Sequence, residues 1–106
     1  DESLTVIPAR AFDENPSIEE LDCHDRVKTV EEYAFRNCTS LRKVIMPGVK
    51  VVGYGAFDGC YALAIVECDK LERIERCAFY CCNSLGSINL PSARSLRLVH
   101  SGIVMP

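Results

Sequence analysis

The stretch VEEYAFRNCTSLRKV, residues 30–44, decides the fold because much of the chain repeats its pattern. Its Ala34-Phe35 pair is followed by a cysteine and then a leucine, and the same order returns at residues 56–63 and 78–85. A weaker copy that keeps the Ala-Phe pair lies upstream, at residues 11–18. Successive pairs are 23, 22 and 22 residues apart. A fixed period of this length is typical of a solenoid, in which successive coils stack and share one continuous core.

Length and composition predict one folded domain that is not inserted in a membrane. The chain has 106 residues, of which 48% are hydrophobic and 25% charged, and this excludes disordered and fibrous classes. No apolar run approaches the roughly 18 residues that span a bilayer. The net charge is −3, and lysine and arginine form no dense cluster, so we predict no nucleic-acid partner. Because the sequence opens in mid-repeat at Leu4, we expect it to be part of a longer repeat protein.

Two short apolar patterns in each repeat predict two short strands. Val44 and Met46 are two residues apart and place two apolar side chains on one face of a strand. A second apolar pair, Val27 and Val30, precedes the Ala-Phe segment. In register, the copies of each strand form a parallel ladder along the stack. One repeat is a residue longer than the others, and we predict that the turn at 24–26 holds the extra residue.

The segment between the two strands predicts a short helix. Apolar residues follow Val30 at offsets of four, five, eight and eleven, which is close to the spacing of one helical face. We therefore predict roughly two helical turns across 31–38 and its counterparts. Gly53 and Gly55 predict a poorer helix in the third copy, because glycine costs about 1 kcal/mol in a helix interior.

These patterns predict an α/β solenoid of about four coils of 22–23 residues, with short parallel strands and short helices. We predict one solenoid segment over 1–106, in which 97–106 is a terminal cap or a divergent repeat. After residue 90 the pattern fails: Ala93 and Leu96 occupy the places of the next apolar pair, but no Ala-Phe pair follows. The predicted core ladder repeats two residue types, phenylalanine and cysteine, and consists of Phe12, Phe35, Phe57, Phe79, Cys38, Cys60 and Cys82.

In the third copy, the residues that recur at fixed spacing in the repeats are Val49, Val52, Ala56-Phe57, Cys60, Leu63 and Val66. This pattern resembles the BspA-type leucine-rich repeat. The resemblance implies a right-handed solenoid of a kind found in surface and secreted proteins of bacteria and protists, where it serves adhesion or protein contacts. The asparagine of the more familiar leucine-rich consensus is absent, because Val49, Leu71 and Ala93 stand in its place.

The seven cysteines predict buried thiols more than a metal or disulfide framework. Two columns hold five of them: one contains Cys38, Cys60 and Cys82, and the other contains Cys23 and Cys68 together with Met46 and Leu90, so cysteine behaves there as a small hydrophobe. Cys77 and Cys81 lie outside these columns and would face the same way on a helix, but no third and fourth zinc ligand accompanies them. We predict no metal and no cofactor, with a redox or partner-facing thiol at Cys81 as the alternative. Reduced thiols favour an intracellular compartment and the family resemblance favours the cell surface, so localisation stays open.

No motif in the chain predicts catalysis or a small-molecule substrate. There is no nucleophile elbow, no glycine-rich phosphate loop and no motif around either histidine. We therefore predict that the protein is not an enzyme.

The outward positions of one strand ladder predict the partner-binding face. In a solenoid these positions form an open surface, and here they change type from coil to coil. We predict a non-catalytic interaction or scaffold module that binds a protein or a multi-subunit complex through Arg42, Lys43, Ile45, Ile65, Glu67 and Asn89. Two alternatives remain: a structural subunit docked in a large assembly through its coil ends, and a surface adhesion module.

Overall fold

The computed structural model describes residues 4–89 and the backbone of 97–98, with side chains described up to residue 86. The described part contains parallel strands and turns and no helix. Its strands are β1 (Val6–Ile7), β2 (Glu20–Asp22), β3 (Thr29–Val30), β4 (Lys43–Ile45), β5 (Val51–Val52), β6 (Ile65–Glu67), β7 (Arg73–Ile74), β8 (Ser87–Asn89) and β9 (Arg97–Leu98).

Two parallel sheets run along the stack, and each coil contributes one strand to each sheet. The first has the order β1-β3-β5-β7-β9 and the second β2-β4-β6-β8. In the second sheet Val44 pairs with Leu21 on one side and Val66 on the other, so equivalent residues of successive coils lie side by side. The chain completes three turns between β2 and β8. The rest of the predicted fourth coil and the predicted cap or divergent repeat at 97–106 lie outside the described residues, apart from the backbone of 97–98.

Strand spacing locates the extra residue of the longer repeat. β2 and β3 begin nine residues apart, whereas β4 and β5 begin eight apart, as do β6 and β7. The predicted insertion in the turn at 24–26 is therefore confirmed. The alignment of the repeats places Leu96 beside Ile74, and this prediction is wrong. Ile74 pairs with Leu98 in β9.

The predicted helix across 31–38 is also wrong, because this segment is an arc of turns. Within the arc, the amide of Ala34 donates to the carbonyl of Glu31 and that of Arg36 to Tyr33, as in single turns. The alternate amides donate to the next coil instead: Phe35 to the Ala56 carbonyl at 2.7 Å, and Asn37 to the Asp58 carbonyl at 2.7 Å. A helix would use these amides internally, so the inter-coil ladder replaces it.

Left-handed backbone positions explain how the arc bends. Each arc has two residues at positive φ, four apart, and in the second coil they are Tyr33 (55°) and Asn37 (57°). The third coil has Gly55 (60°) and Gly59 (77°) at these places. Glycine adopts this region without strain, so Gly55 favours the arc that it was expected to weaken as a helix.

The core lies inside the coils and is built from identical columns. Phe35, Phe57 and Phe79 are fully buried, and their rings stack nearly parallel with centroids 5.1 and 5.3 Å apart. The alanine before each of them is fully buried too. Phe12 stacks on Phe35 at 5.1 Å and so belongs to the predicted ladder, but it is 39% exposed and lies outside the buried core. No coil covers its outer side in the described part of the chain.

Candidate functional site

The outward face of β4 and β6 has an alternating apolar and charged pattern. Lys43 pairs with Ile65, and Ile45 pairs with Glu67. The two isoleucines therefore lie on one diagonal of a four-residue block, and the two charges lie on the other. Diagonal neighbours in a sheet are close enough for large side chains to touch. Ile65 is 38% exposed and Ile45 is half-buried, so the block offers apolar surface with a charge on either side.

The acidic end of this face is held by exposed ion pairs. Arg42 lies 3.2 Å from Glu19 and 3.5 Å from Glu20 between nitrogen and oxygen, and all three side chains are more than half exposed. Such pairs contribute about 0–1 kcal/mol, so Arg42 is available to a partner. Asn89 lies in β8 beside Glu67, and its side chain is outside the described part.

The cysteine column inside the arc forms a ladder of thiol hydrogen bonds. The Sγ of Cys60 donates to the carbonyl of Phe35 at 3.1 Å, and that of Cys82 donates to Phe57 at 3.2 Å. Cys38 makes the same contact with Phe12. The carbonyls of Phe12, Phe35 and Phe57 thus each accept a thiol from the next coil, and this explains why cysteine recurs at this position beside phenylalanine.

Four of the buried thiols are poor nucleophiles, whereas the hydrogen bond with Cys60 lowers the pKa of Cys38. The hydrogen bond with Cys38 and burial raise the pKa of Cys60, and burial raises the pKa of Cys82 to about 12. Burial also raises the pKa of Cys23 to about 11 and that of Cys68 to about 12. The thiolate is the reactive form, so these four side chains are inert near neutral pH.

Cys77 and Cys81 lie at the two left-handed positions of their arc, with φ of 61° and 62°, and are half-buried. Because the arc is not a helix, the helical argument that they face one way no longer applies. Among residues 4–86, no three His, Cys, Asp or Glu side chains are placed to hold a metal ion.

The arcs carry a second surface that sequence reasoning missed. The guanidinium carbons of Arg10 and Arg36 lie 4.7 and 4.5 Å from the ring centroid of Tyr33, and Arg36 also holds Asp13 through two hydrogen bonds of 3.0 and 2.7 Å. The ring of Tyr54 meets Tyr33 edge-on at 5.5 Å. Arginine over an aromatic face is a favourable contact of about 0.5–1 kcal/mol at exposed sites. When the repeats are aligned on the Ala-Phe pairs, Arg10 and Tyr33 share one column and Arg36 lies three positions later, so the alignment alone brings only Arg10 and Tyr33 together.

Two depressions adjoin the sheets. One, of about 410 Å³, lies beside the outward face of β3 and β5, around Gly53. The other, of about 400 Å³, opens at the first coil between Leu4, Phe12 and Leu21. Within the described ranges no helix is long and apolar enough to cross a membrane.

Comparison with known proteins identifies the family. The model of the BspA type leucine rich repeat region matches residues 5–101, in six copies. None of the curated proteins matches the chain in sequence. The structure is similar to that of the leucine-rich repeat protein TpLRR of T. pallidum, with a TM-score of 0.69 and 36% identity over 76% of this chain and 41% of that one.

A second solved structure shares the fold. A leucine rich cell surface protein from Faecalibacterium prausnitzii A2-165 is similar with a TM-score of 0.57 and 22% identity, over 82% of this chain and 31% of that one. The chain thus spans less than half the length of either protein. The repeat columns, the parallel ladders and the family match together show that this chain belongs to the BspA-type leucine-rich-repeat family.

Proposed function

We propose that the chain is a non-catalytic module that binds a protein partner through the outward face of the sheet β2-β4-β6-β8. The observation that carries this proposal is the block of Ile45 and Ile65 with Lys43 and Glu67 on the other diagonal. An apolar centre with a polar rim is the usual anatomy of a protein interface. The six predicted residues, Arg42, Lys43, Ile45, Ile65, Glu67 and Asn89, form the proposed contact.

The lack of repetition on this face supports a protein partner. The first outward row reads Glu20, Lys43, Ile65 and Ser87 along the stack, so no residue type recurs. A regular polymer would favour a surface that repeats with the coils, whereas a protein presents one irregular patch. Leucine-rich repeats in general mediate protein–protein contacts and are typically non-enzymatic, and this family membership also supports the proposal.

Photo-crosslinking tests which face the partner touches. Benzoylphenylalanine placed at Ile65 should crosslink the partner in an extract of the source cells. The same probe at Tyr61, which is 49% exposed but lies outside the strands, is the matched control. We expect a product at 65 that is absent at 61 and that is lost when Ile45→Asp is added. Crosslinking that is equal at both positions, or unaffected by Ile45→Asp, would place the contact elsewhere.

A second candidate function is docking through the end of the stack, either in a large assembly or in surface adhesion. The depression at the first coil is lined mainly by apolar groups, and both Leu4 (41%) and Phe12 (39%) are exposed there. The cell-surface relative from F. prausnitzii supports the adhesion variant. In this case Leu4→Asp with Phe12→Ser would abolish partner capture, whereas Ile45→Asp with Ile65→Asp would leave it intact.

We further propose a right-handed coil with a fourth turn that is completed within 90–106, where 97–106 forms a cap or divergent repeat. Parallel strands joined by a crossover are right-handed in about 98% of cases, and this supports the handedness. A crystal structure of the chain would test both points directly.

A further inference from the structure

The groove around Gly53 lies on the sheet β1-β3-β5-β7-β9, whereas the proposed protein contact lies on the sheet β2-β4-β6-β8. The residues that line it come from β3 and β5 and from the start of four successive arcs. Thr29 and Val51 are adjacent in the sheet and form one wall, and both are half-buried. This sheet face has no covering element among the described residues.

One position in the lining of the groove has no side chain. Glu31, Gly53 and Glu75 are equivalent residues of three successive coils, which the ladder brings into one column. Because neighbouring strands lie about 4.8 Å apart, the two glutamates flank Gly53 at roughly 10 Å from each other along the stack. Gly53 puts no side chain between the two glutamates, and we call this gap the notch. A Cβ at this position would lie 2.9 Å from backbone atoms of Glu31 and Glu32, so the close approach of the two coils requires glycine here.

The charge of the groove is negative, and its remaining wall is aromatic. Glu32 and Tyr54 lie in the next column, and Tyr54 is 41% exposed. Among the described residues no Lys or Arg forms an ion pair with Glu31 or Glu32, although Glu31 accepts a hydrogen bond from the amide of Ala9 at 3.3 Å.

In the fourth coil, the carboxylate of this column already binds a cation. Glu75 is paired with the guanidinium of Arg73, which projects from the outward face of β7 in the same coil. Arg73 occupies the strand position that Thr29 and Val51 hold in the two coils before it. In those coils the equivalent place carries no cation, so the carboxylate of Glu31 lacks the partner that Glu75 has.

We propose that this groove binds an extended segment of a partner protein that places a lysine or arginine side chain in the notch at Gly53. The aliphatic stem would lie along Val51 and the ring of Tyr54, and the cationic end would lie between Glu31 and Glu75. Long basic side chains bind in this way, with the stem on apolar surface and the charge at carboxylates. This site is separate from the Ile45–Ile65 face, so an experiment can contradict either proposal without affecting the other.

The test uses the full chain, labelled with ¹⁵N, and the peptide acetyl-Gly-Val-Lys-Val-Gly-amide. Addition of the peptide should shift the amide signals of Gly53, Tyr54 and Val51. A peptide with norleucine in place of lysine keeps the stem and removes the charge, and we expect it to bind at least about threefold more weakly. Each exposed ion pair contributes a modest amount, so Glu31→Gln with Glu75→Gln should weaken binding of the lysine peptide by about three- to tenfold.

The matched control is Glu19→Gln with Glu20→Gln, which removes the same charge from exposed carboxylates at β2. This variant should bind the lysine peptide as the unchanged chain does, and both double variants should keep the melting temperature. Three results would overturn the proposal. They are the absence of shifts at 10 mM peptide, equal binding of the norleucine peptide, and equal loss of binding in the two double variants.

Discussion

The inside of the stack repeats from coil to coil, and its outward strand face does not. Phe35, Phe57 and Phe79 stack at almost the same distance, and Cys60 and Cys82 make the same hydrogen bond. On the outward face, equivalent positions hold acidic, basic, apolar and small polar residues. Stacking thus dictates the interior, because each side chain must match the one above and below it. The exterior is under no such constraint, and recognition is expected there.

The largest effect on stability is expected when a ring is removed from the middle of the aromatic column. Phe57→Ala removes a fully buried ring that stacks on both sides, and we expect the free energy of unfolding to fall by about 3–5 kcal/mol. Phe12→Ala is the control, because among the described residues that ring stacks on one side only and is partly exposed, so its loss should cost less than half as much. Denaturant unfolding measures both, and equal costs would contradict the comparison.

The buried thiols predict that stability falls at alkaline pH. Burial raises the pKa of Cys23, Cys68 and Cys82 above the ordinary value of 9.0, so the folded chain keeps protons that the unfolded chain releases. The stabilisation is complete below pH 9 and is lost as the pH rises towards the folded values of about 11 to 12. Over this pH range each thiol lowers the free energy of unfolding by up to about 1.4 kcal/mol per pH unit.

Urea unfolding between pH 8 and 10.5 measures this slope. Cys82→Ala should make the decline shallower by the contribution of one thiol. If the stability of the Cys82→Ala variant falls with the same slope, the thiol of Cys82 does not keep its proton in the folded chain over this pH range, which would contradict the prediction.

Smaller changes in stability are expected at two equivalent arc positions, and the two changes should have opposite signs. Gly59 has φ of 77°, and an added Cβ would meet the side-chain oxygen of Asn37, so Gly59→Ala should destabilise by about 1–2 kcal/mol. Cys81 stands in the same column at φ 62°, where Cys81→Gly relieves strain and should stabilise by up to about 1 kcal/mol. Thermal melts of the two variants check the signs. A loss in both would contradict the left-handed arc.

The smallest effect on stability is expected on the proposed recognition face. Ile65 is exposed and Ile45 is half-buried on the outward side, so Ile45→Asp with Ile65→Asp should cost about 1 kcal/mol or less. The same pair of changes should abolish partner binding. A large loss of stability in the melt would mean that these side chains belong to the core, and would contradict the proposal.

The sequence predicted the solenoid and its columns, because burial inside a stack repeats the same residue types at a fixed period. It could not predict the arc. The apolar offsets after Val30 suit a helical face, and they also suit an arc in which Tyr33 and Asn37 turn the backbone left-handed. Outside the third coil these positions carry tyrosine, asparagine, cysteine, arginine and glutamate, so only Gly55 and Gly59 reveal the requirement in residue type. The contacts around Tyr33 were missed for the same reason, since they depend on the arc.

The hydrogen bonds of the arc test the account most directly. Through-bond NMR couplings identify which carbonyl accepts each amide in a ¹³C,¹⁵N-labelled chain. We expect the amide of Phe57 to couple to the carbonyl of Ala78, one coil away, where the nitrogen–oxygen distance is 2.7 Å. A coupling from Phe57 to the carbonyl of Gly53, four residues earlier, would show a helix and contradict the stacked arc.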